Sequence, residues 1–362
     1  MNQFFFICCL IVFTIHFHNI KAQGVEVTEV RDTFLISPEM QDKFNKGLDL
    51  LEQKENEKAI AVFTEVINNL PQWTLPLLYR GIAYFNAGDY DRAYSDLSSF
   101  VNNEKKDHEK LSKANFYMAK IFMNKQDFQE ASLRFTQAIK ENSESPDYFY
   151  LRGICYFNMG DYARAVEDFT SAINLKKDFA HAYNERASAK KKLGDMDGAM
   201  KDYYQATLID PKLYVAYINL GQIKEAMKDI DGAIQEYSTA IRFKPGEYSL
   251  YNMRALAYIE KGDLQKALSD LNKAIEINPK NFMLYNNRGI VYYRLKQYDK
   301  SEEDFSKAIS LNPSYMEAYL NRGTVREMLK KFKEACEDWQ KAKSLGSNLA
   351  DQFIQSSCFD IE

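Results

Sequence analysis

Histidine is scarce. The 362-residue chain has four, His16, His18, His108 and His181, and the last two stand 73 positions apart, so they support no histidine-based metal cluster. There is no HExxH, no glycine-rich phosphate loop, no nucleophile elbow and no cysteine–histidine arrangement with an orienting third residue. Carboxylates are plentiful, but they alternate with lysines in a pattern that reads as solvated helix faces. These absences give no reason to expect an enzyme, a cofactor, a metal or a small-molecule substrate. An excess of positive charge is missing too: 47 Lys and Arg face 51 Asp and Glu, a formal net charge of −4. No broad positive field exists to attract nucleic acid. What is abundant is apolar material, 46% of residues with 14% aromatic, which excludes a disordered polymer and supplies a core.

The first residues differ from the rest. Phe4 to Phe13 form an apolar run, and Ala22 follows as a small residue suited to cleavage. The stretch 1–22 is expected to be a signal peptide cut before Gln23, although its start carries no Lys or Arg. A retained membrane anchor is the alternative, but the run falls short of the roughly 20 residues that span a bilayer. Export places the mature chain in the periplasm, at the outer membrane or outside the cell, where a membrane-associated complex is one possible setting. Its remaining cysteines, Cys155, Cys336 and Cys358, then meet an oxidising compartment. Residues 23–39 read as an extended segment, with Val25, Val27 and Val30 alternating before Phe34, Leu35 and Ile36.

From about Met40 to Leu349 the chain repeats every 34 residues. Ala59, Ala93, Ala131, Ala165, Ala199, Ala233, Ala267, Ser301 and Ala335 mark one column, with a single step of 38 where Asn103 to Lys110 carry a charged insertion. Twelve positions earlier stands Gly or Ala in all nine units, from Gly47 to Gly323. Four positions later comes a large side chain, from Phe63 to Trp339. Spacings of three and four put these residues on one face of a helix, so each unit holds two amphipathic helices. Small residues at facing positions let the paired backbones approach, and the large side chain fills the space beside them. Gly88, Gly160, Gly194 and Gly262, each followed by Asp, end the first helix. Pro71, Pro211, Pro245, Pro279 and Pro313 turn the chain after the second.

Segments such as Tyr285-Asn286-Asn287-Arg288-Gly289 and Ala308-Ile309-Ser310-Leu311-Asn312-Pro313 make this pattern resemble the tetratricopeptide repeat over about 310 residues. The resemblance implies an all-α right-handed solenoid of nine helix-turn-helix units, 40–73, 74–111, 112–145, 146–179, 180–213, 214–247, 248–281, 282–315 and 316–349, followed by a capping helix and tail at 350–362. It also implies a concave wall, lined by the first helix of each unit, that holds a protein or peptide partner. The family's binding positions fall here on Phe44, Leu78, Ile82, Phe85, Phe116, Tyr150, Ile154 and Phe157, mostly large and apolar. Further along they fall on Lys191, Lys192, Asn286 and Tyr293, with Lys190 beside them. The apolar half would take an extended or helical peptide whose acidic flank meets Lys190 to Lys192. The same side chains could equally be consensus packing, or could be covered by Val25 to Ile36 folding back. The spacing of Lys and Asn that other members use to clamp acidic chaperone tails is absent. A purely structural solenoid that self-associates through its repeat edges is the alternative function.

Two further patterns concern architecture. Arg80, Arg152, Arg186, Arg254, Arg288 and Arg322 each have an Asp sixteen positions on, which favours a structural pair between helices over an anion-binding ladder. Cys336 and Cys358 could meet across an antiparallel helix pair as a disulfide or remain two free thiols, and Cys155 occupies a position that the repeat buries.

Overall fold

The computed structural model describes residues 36–358. The expected signal peptide 1–22 and nearly all of the extended stretch before Ile36 lie outside these residues. The described residues form nineteen α-helices and no strand. Nine antiparallel pairs come first: α1 (Pro38–Glu52) with α2 (Asn56–Asn69), α3 (Leu75–Asn86) with α4 (Tyr90–Asn103), and α5 (His108–Asn124) with α6 (Phe128–Glu141). Then come α7 (Pro146–Asn158) with α8 (Tyr162–Leu175), α9 (Ala180–Lys192) with α10 (Met196–Ile209), and α11 (Tyr214–Ala226) with α12 (Ile230–Phe243). The last are α13 (Tyr248–Lys261) with α14 (Leu264–Ile277), α15 (Phe282–Arg294) with α16 (Tyr298–Leu311), and α17 (Met316–Met328) with α18 (Phe332–Ser344), closed by α19 (Ala350–Ser357). Helix α1 opens at Pro38, behind a Ser37 cap that accepts from the Met40 amide, so the expected extended segment stops short of 39. The charged insertion lengthens α5 at its start. Ahead of α5, Glu104 folds its Oε1 onto the amides of Lys105, Lys106 and Asp107.

Each pair closes on the small-residue columns. A Cβ on Gly289 would come within 2.7 Å of the Phe305 ring, so only glycine admits that ring at this separation. The alanine column and the large column behind it are almost wholly inaccessible, Ala165, Phe169, Ala267 and Leu271 among them at 0%. Such burial contributes about 1.5–3 kcal/mol for each large side chain. The turn between the helices needs a left-handed residue in every unit. Gly88, Gly160, Gly194 and Gly262 supply it, and in the other five units Lys54, Gln126, Lys228, Lys296 and Lys330 adopt positive φ instead.

The six arginines join the repeats in a common geometry. Nε and Nη2 donate to the two oxygens of the Asp sixteen positions on, at 2.7–2.9 Å. Nη1 donates backward to the second helix of the preceding unit, to Thr64, Thr136, Thr170, Ser238, Asn272 and Ser306. The guanidinium donors are thus committed inside the stack, which removes the anion-ladder alternative. In the sixth unit Leu220 holds the arginine's position, and Lys224, one turn on, reaches Glu236 at 2.6 Å.

At the far end Cys336 and Cys358 are joined by a disulfide with their Cα atoms 5.9 Å apart. Phe353 of α19 stacks on Trp339 at 5.2 Å. This cap takes the C-terminal edge out of repeat-on-repeat stacking. Cys155 is buried, and burial pushes its thiol up to about 12, so it packs rather than reacts.

Candidate peptide-binding wall

The first helices approach one another and the second helices do not. Helices α1 and α3, α3 and α5, α7 and α9, α13 and α15, and α15 and α17 are in contact, whereas no pair of successive second helices is in comparable contact among the described residues. A stack that is closer on one side curves toward it, so the first helices line the inner wall.

Along that wall the fifth residue of one unit meets the sixth residue of the next, 35 positions later in most units. Phe44 packs against Tyr79 with centroids 5.6 Å apart. Asn287 donates to Asn252 at 2.9 Å and Asn321 to Asn286 at 3.0 Å. The seam is therefore apolar toward the N-terminus and amide-rich toward the C-terminus.

This seam corrects several of the expected groove residues. Phe44, Leu78, Ile82, Tyr150 and Asn286 have between 0% and 7% of their surface accessible, because the following unit lies on top of them. They belong to the core and offer little to a partner. Phe85, Phe116, Ile154, Phe157 and Tyr293 remain partly exposed. The lysines do not act as a group. Lys190 is paired with Asp202 at 2.8 Å, and Lys191 donates to Gln222 at 3.0 Å with its pKa lowered by burial. Lys192 is exposed at the end of α9.

Two other lysines, which the sequence did not single out, hold the more telling positions. Lys120 lies 4.9 Å from the Phe85 ring centre, 5.4 Å from Phe116 and 5.5 Å from Tyr117. Lys113 lies 5.1 Å from the Tyr79 ring centre. Burial lowers the pKa of both, and neither has an ion pair among the described residues. Aromatic faces attract ammonium groups, but they do not neutralise them. The wall of the second to fourth units thus offers apolar surface with two cations outside any ion pair among the described residues.

The comparisons with known proteins agree with this architecture. The tetratricopeptide-repeat family models match residues 77–106, 146–179, 180–213, 214–247, 255–296 and 283–315, together more than half the chain. The chain belongs to the tetratricopeptide repeat family. No curated protein matches this TPR chain. Among solved structures, the C-terminal part of a TPR repeat-containing protein from Cytophaga hutchinsonii is similar at 16% identity, covering 77% of this chain and 98% of that one, with a TM-score of 0.52. A tetratricopeptide repeat protein from Parabacteroides merdae is similar at 19% identity, covering 68% and 98%, with a TM-score of 0.49. At 16% identity the likeness to the Cytophaga hutchinsonii structure concerns the fold alone. Among the described residues of the TPR array, no helix is long and apolar enough to cross a membrane.

Proposed function

We propose that this TPR protein is a non-catalytic interaction scaffold that holds an extended or helical segment of a protein partner against the inner wall of its second to fourth units. The observation that carries this reading is the strip of Phe85, Phe116, Ile154 and Phe157, partly exposed beside Lys113 and Lys120, two cations with no ion pair among the described residues. A solenoid is stabilised by contacts between neighbouring units, and apolar surface left outside those contacts marks an interaction site. Acidic and apolar side chains of a partner would satisfy both features. The partner assembly is placed in the cell envelope, reached by export. The apolar run at Phe4 to Phe13 and the Cys336–Cys358 disulfide support that placement, because disulfides persist in oxidising compartments.

The test is a pull-down from native envelope extract with the wild-type chain and with the double substitution Phe85→Ala, Phe157→Ala. Capture is expected to fall while helicity stays unchanged; equal capture would rule the wall out.

A further inference from the structure

The seam between first helices sets ring on ring at Phe44 and Tyr79, and amide on amide at Asn252 and Asn287 and at Asn286 and Asn321; where α7 meets α9 it brings together unlike groups. There the fifth residue of the fourth unit is Tyr150 and the sixth of the fifth unit is Glu185, and burial, followed by the charge of Glu185, raises the pKa of the Tyr150 hydroxyl. Glu185 is partly buried, and its Oε1 accepts one hydrogen bond, from the Asn184 side-chain amide at 3.0 Å. No Lys or Arg within the described residues pairs with it. Lysines are close by in sequence, but Lys190 is held by Asp202 and Lys191 by Gln222. Burial raises the Glu185 pKa, as expected for a carboxylate whose hydration is partly replaced without a compensating cation. One turn on, the Ser188 and Tyr203 hydroxyls meet at 2.9 Å, and Ile154 and Phe157 of the apolar strip pack in the same cluster as Tyr150.

We infer that Glu185, positioned by the Asn184 amide, is the receptor on this wall for a cationic side chain, an arginine or lysine of the partner's peptide, with Ser188 as a flanking hydrogen-bonding group and Ile154 under its aliphatic stem. This rests on the proposed use of the inner wall and refines it by assigning partner chemistry. The wall then has polarity: Lys113 and Lys120 in the third unit select acidic positions, and Glu185, two units on, selects a basic one. Two steps between first helices at about 10 Å each correspond to about six residues of extended peptide at about 3.3 Å each. Arginine fits better than lysine, because its planar fork reaches the carboxylate with two donors and is more weakly hydrated.

The test uses the full chain, labelled for NMR, and two capped heptapeptides of alternating Ala and Val that differ only at the central residue, arginine in one and the neutral isostere citrulline in the other. The arginine peptide is expected to shift the amide signals of Tyr150, Asn184, Glu185 and Ser188 saturably and to bind about tenfold tighter than the citrulline peptide. Glu185→Gln, with an unchanged spectrum elsewhere, should erase the difference. Equal binding of the two peptides to the wild-type chain, shifts confined to other residues, or no binding of the arginine peptide at millimolar concentration would each overturn the inference. The readout is separable from that of the proposed function: if arginine preference is absent while Phe85 and Phe157 still govern capture, the cationic receptor alone is refuted.

Discussion

Arg288 reaches across two repeats. It donates from Nε and Nη2 to Asp304 of its own unit, both at 2.7 Å, and from Nη1 to Asn272 of the preceding unit at 2.8 Å. Truncating one partner of a mostly buried pair leaves the other uncompensated. Arg288→Ala should therefore cost about 3 kcal/mol in denaturant unfolding. The pair of substitutions Arg288→Met and Asp304→Leu should cost clearly less than the sum of the two single changes. An unmoved midpoint for Arg288→Ala would contradict a structural role.

Lys296 holds a φ of 57° in the turn between α15 and α16, the position that Gly262 fills one unit earlier with a φ of 87°. A side chain there meets the steric cost of the left-handed region, which glycine avoids. Lys296→Gly should raise stability by about 0.5–1 kcal/mol, a net of relieved strain and the larger entropy of the unfolded glycine. A lower melting temperature would show that the turn tolerates lysine without strain.

Much of this architecture is legible in the sequence because the contacts constrain residue type. Gly289 is small because Phe305 abuts it, and Asp304 accompanies Arg288 because a guanidinium fork needs a carboxylate. The turn at Lys296 is not legible, since nothing about lysine signals positive φ; the fold imposes it. The division of the inner wall between core and groove is not legible either. Phe44, Leu78, Ile82, Tyr150 and Asn286 occupy first-helix positions like those of Phe85 and Phe157, and only the curvature of the stack decides which of them the next unit covers. Lys113, Lys120 and Glu185 look like ordinary surface charges until their neighbours are placed.

Glu185 also predicts a pH effect on stability. Its pKa is raised in the folded chain, mainly by burial, so the folded state binds the proton more tightly than the unfolded one. Its contribution is favourable in acid and is lost as pH rises from the unfolded carboxyl range, about 4.3, through the folded pKa. Glu185→Gln, which cannot ionise, should match the wild type near pH 4 and exceed it by of order 1 kcal/mol at pH 7.5. Unfolding curves at the two pH values check this; a difference independent of pH would contradict the burial of an uncompensated charge.

The Cys336–Cys358 bridge closes a segment with a sequence separation of 22 and fastens α19 over Trp339. Cys358→Ser should destabilise the C-terminal end by up to about 3 kcal/mol. Hydrogen exchange should quicken in α19 and α18 and leave α7 to α10 unchanged. Protection in α19 that is indifferent to reduction would show that Phe353 stacking alone holds the cap.

The central claim is that the partner lies against the inner wall. Photocrosslinking in native envelopes tests it most directly, with p-benzoylphenylalanine placed in one variant at Phe157, on the inner wall, and in another at Leu208, on the second helix α10 and 74% exposed. The account predicts one discrete adduct from position 157, identifiable by mass spectrometry, and none of the same species from position 208. The same adduct from 208 with none from 157 would contradict it.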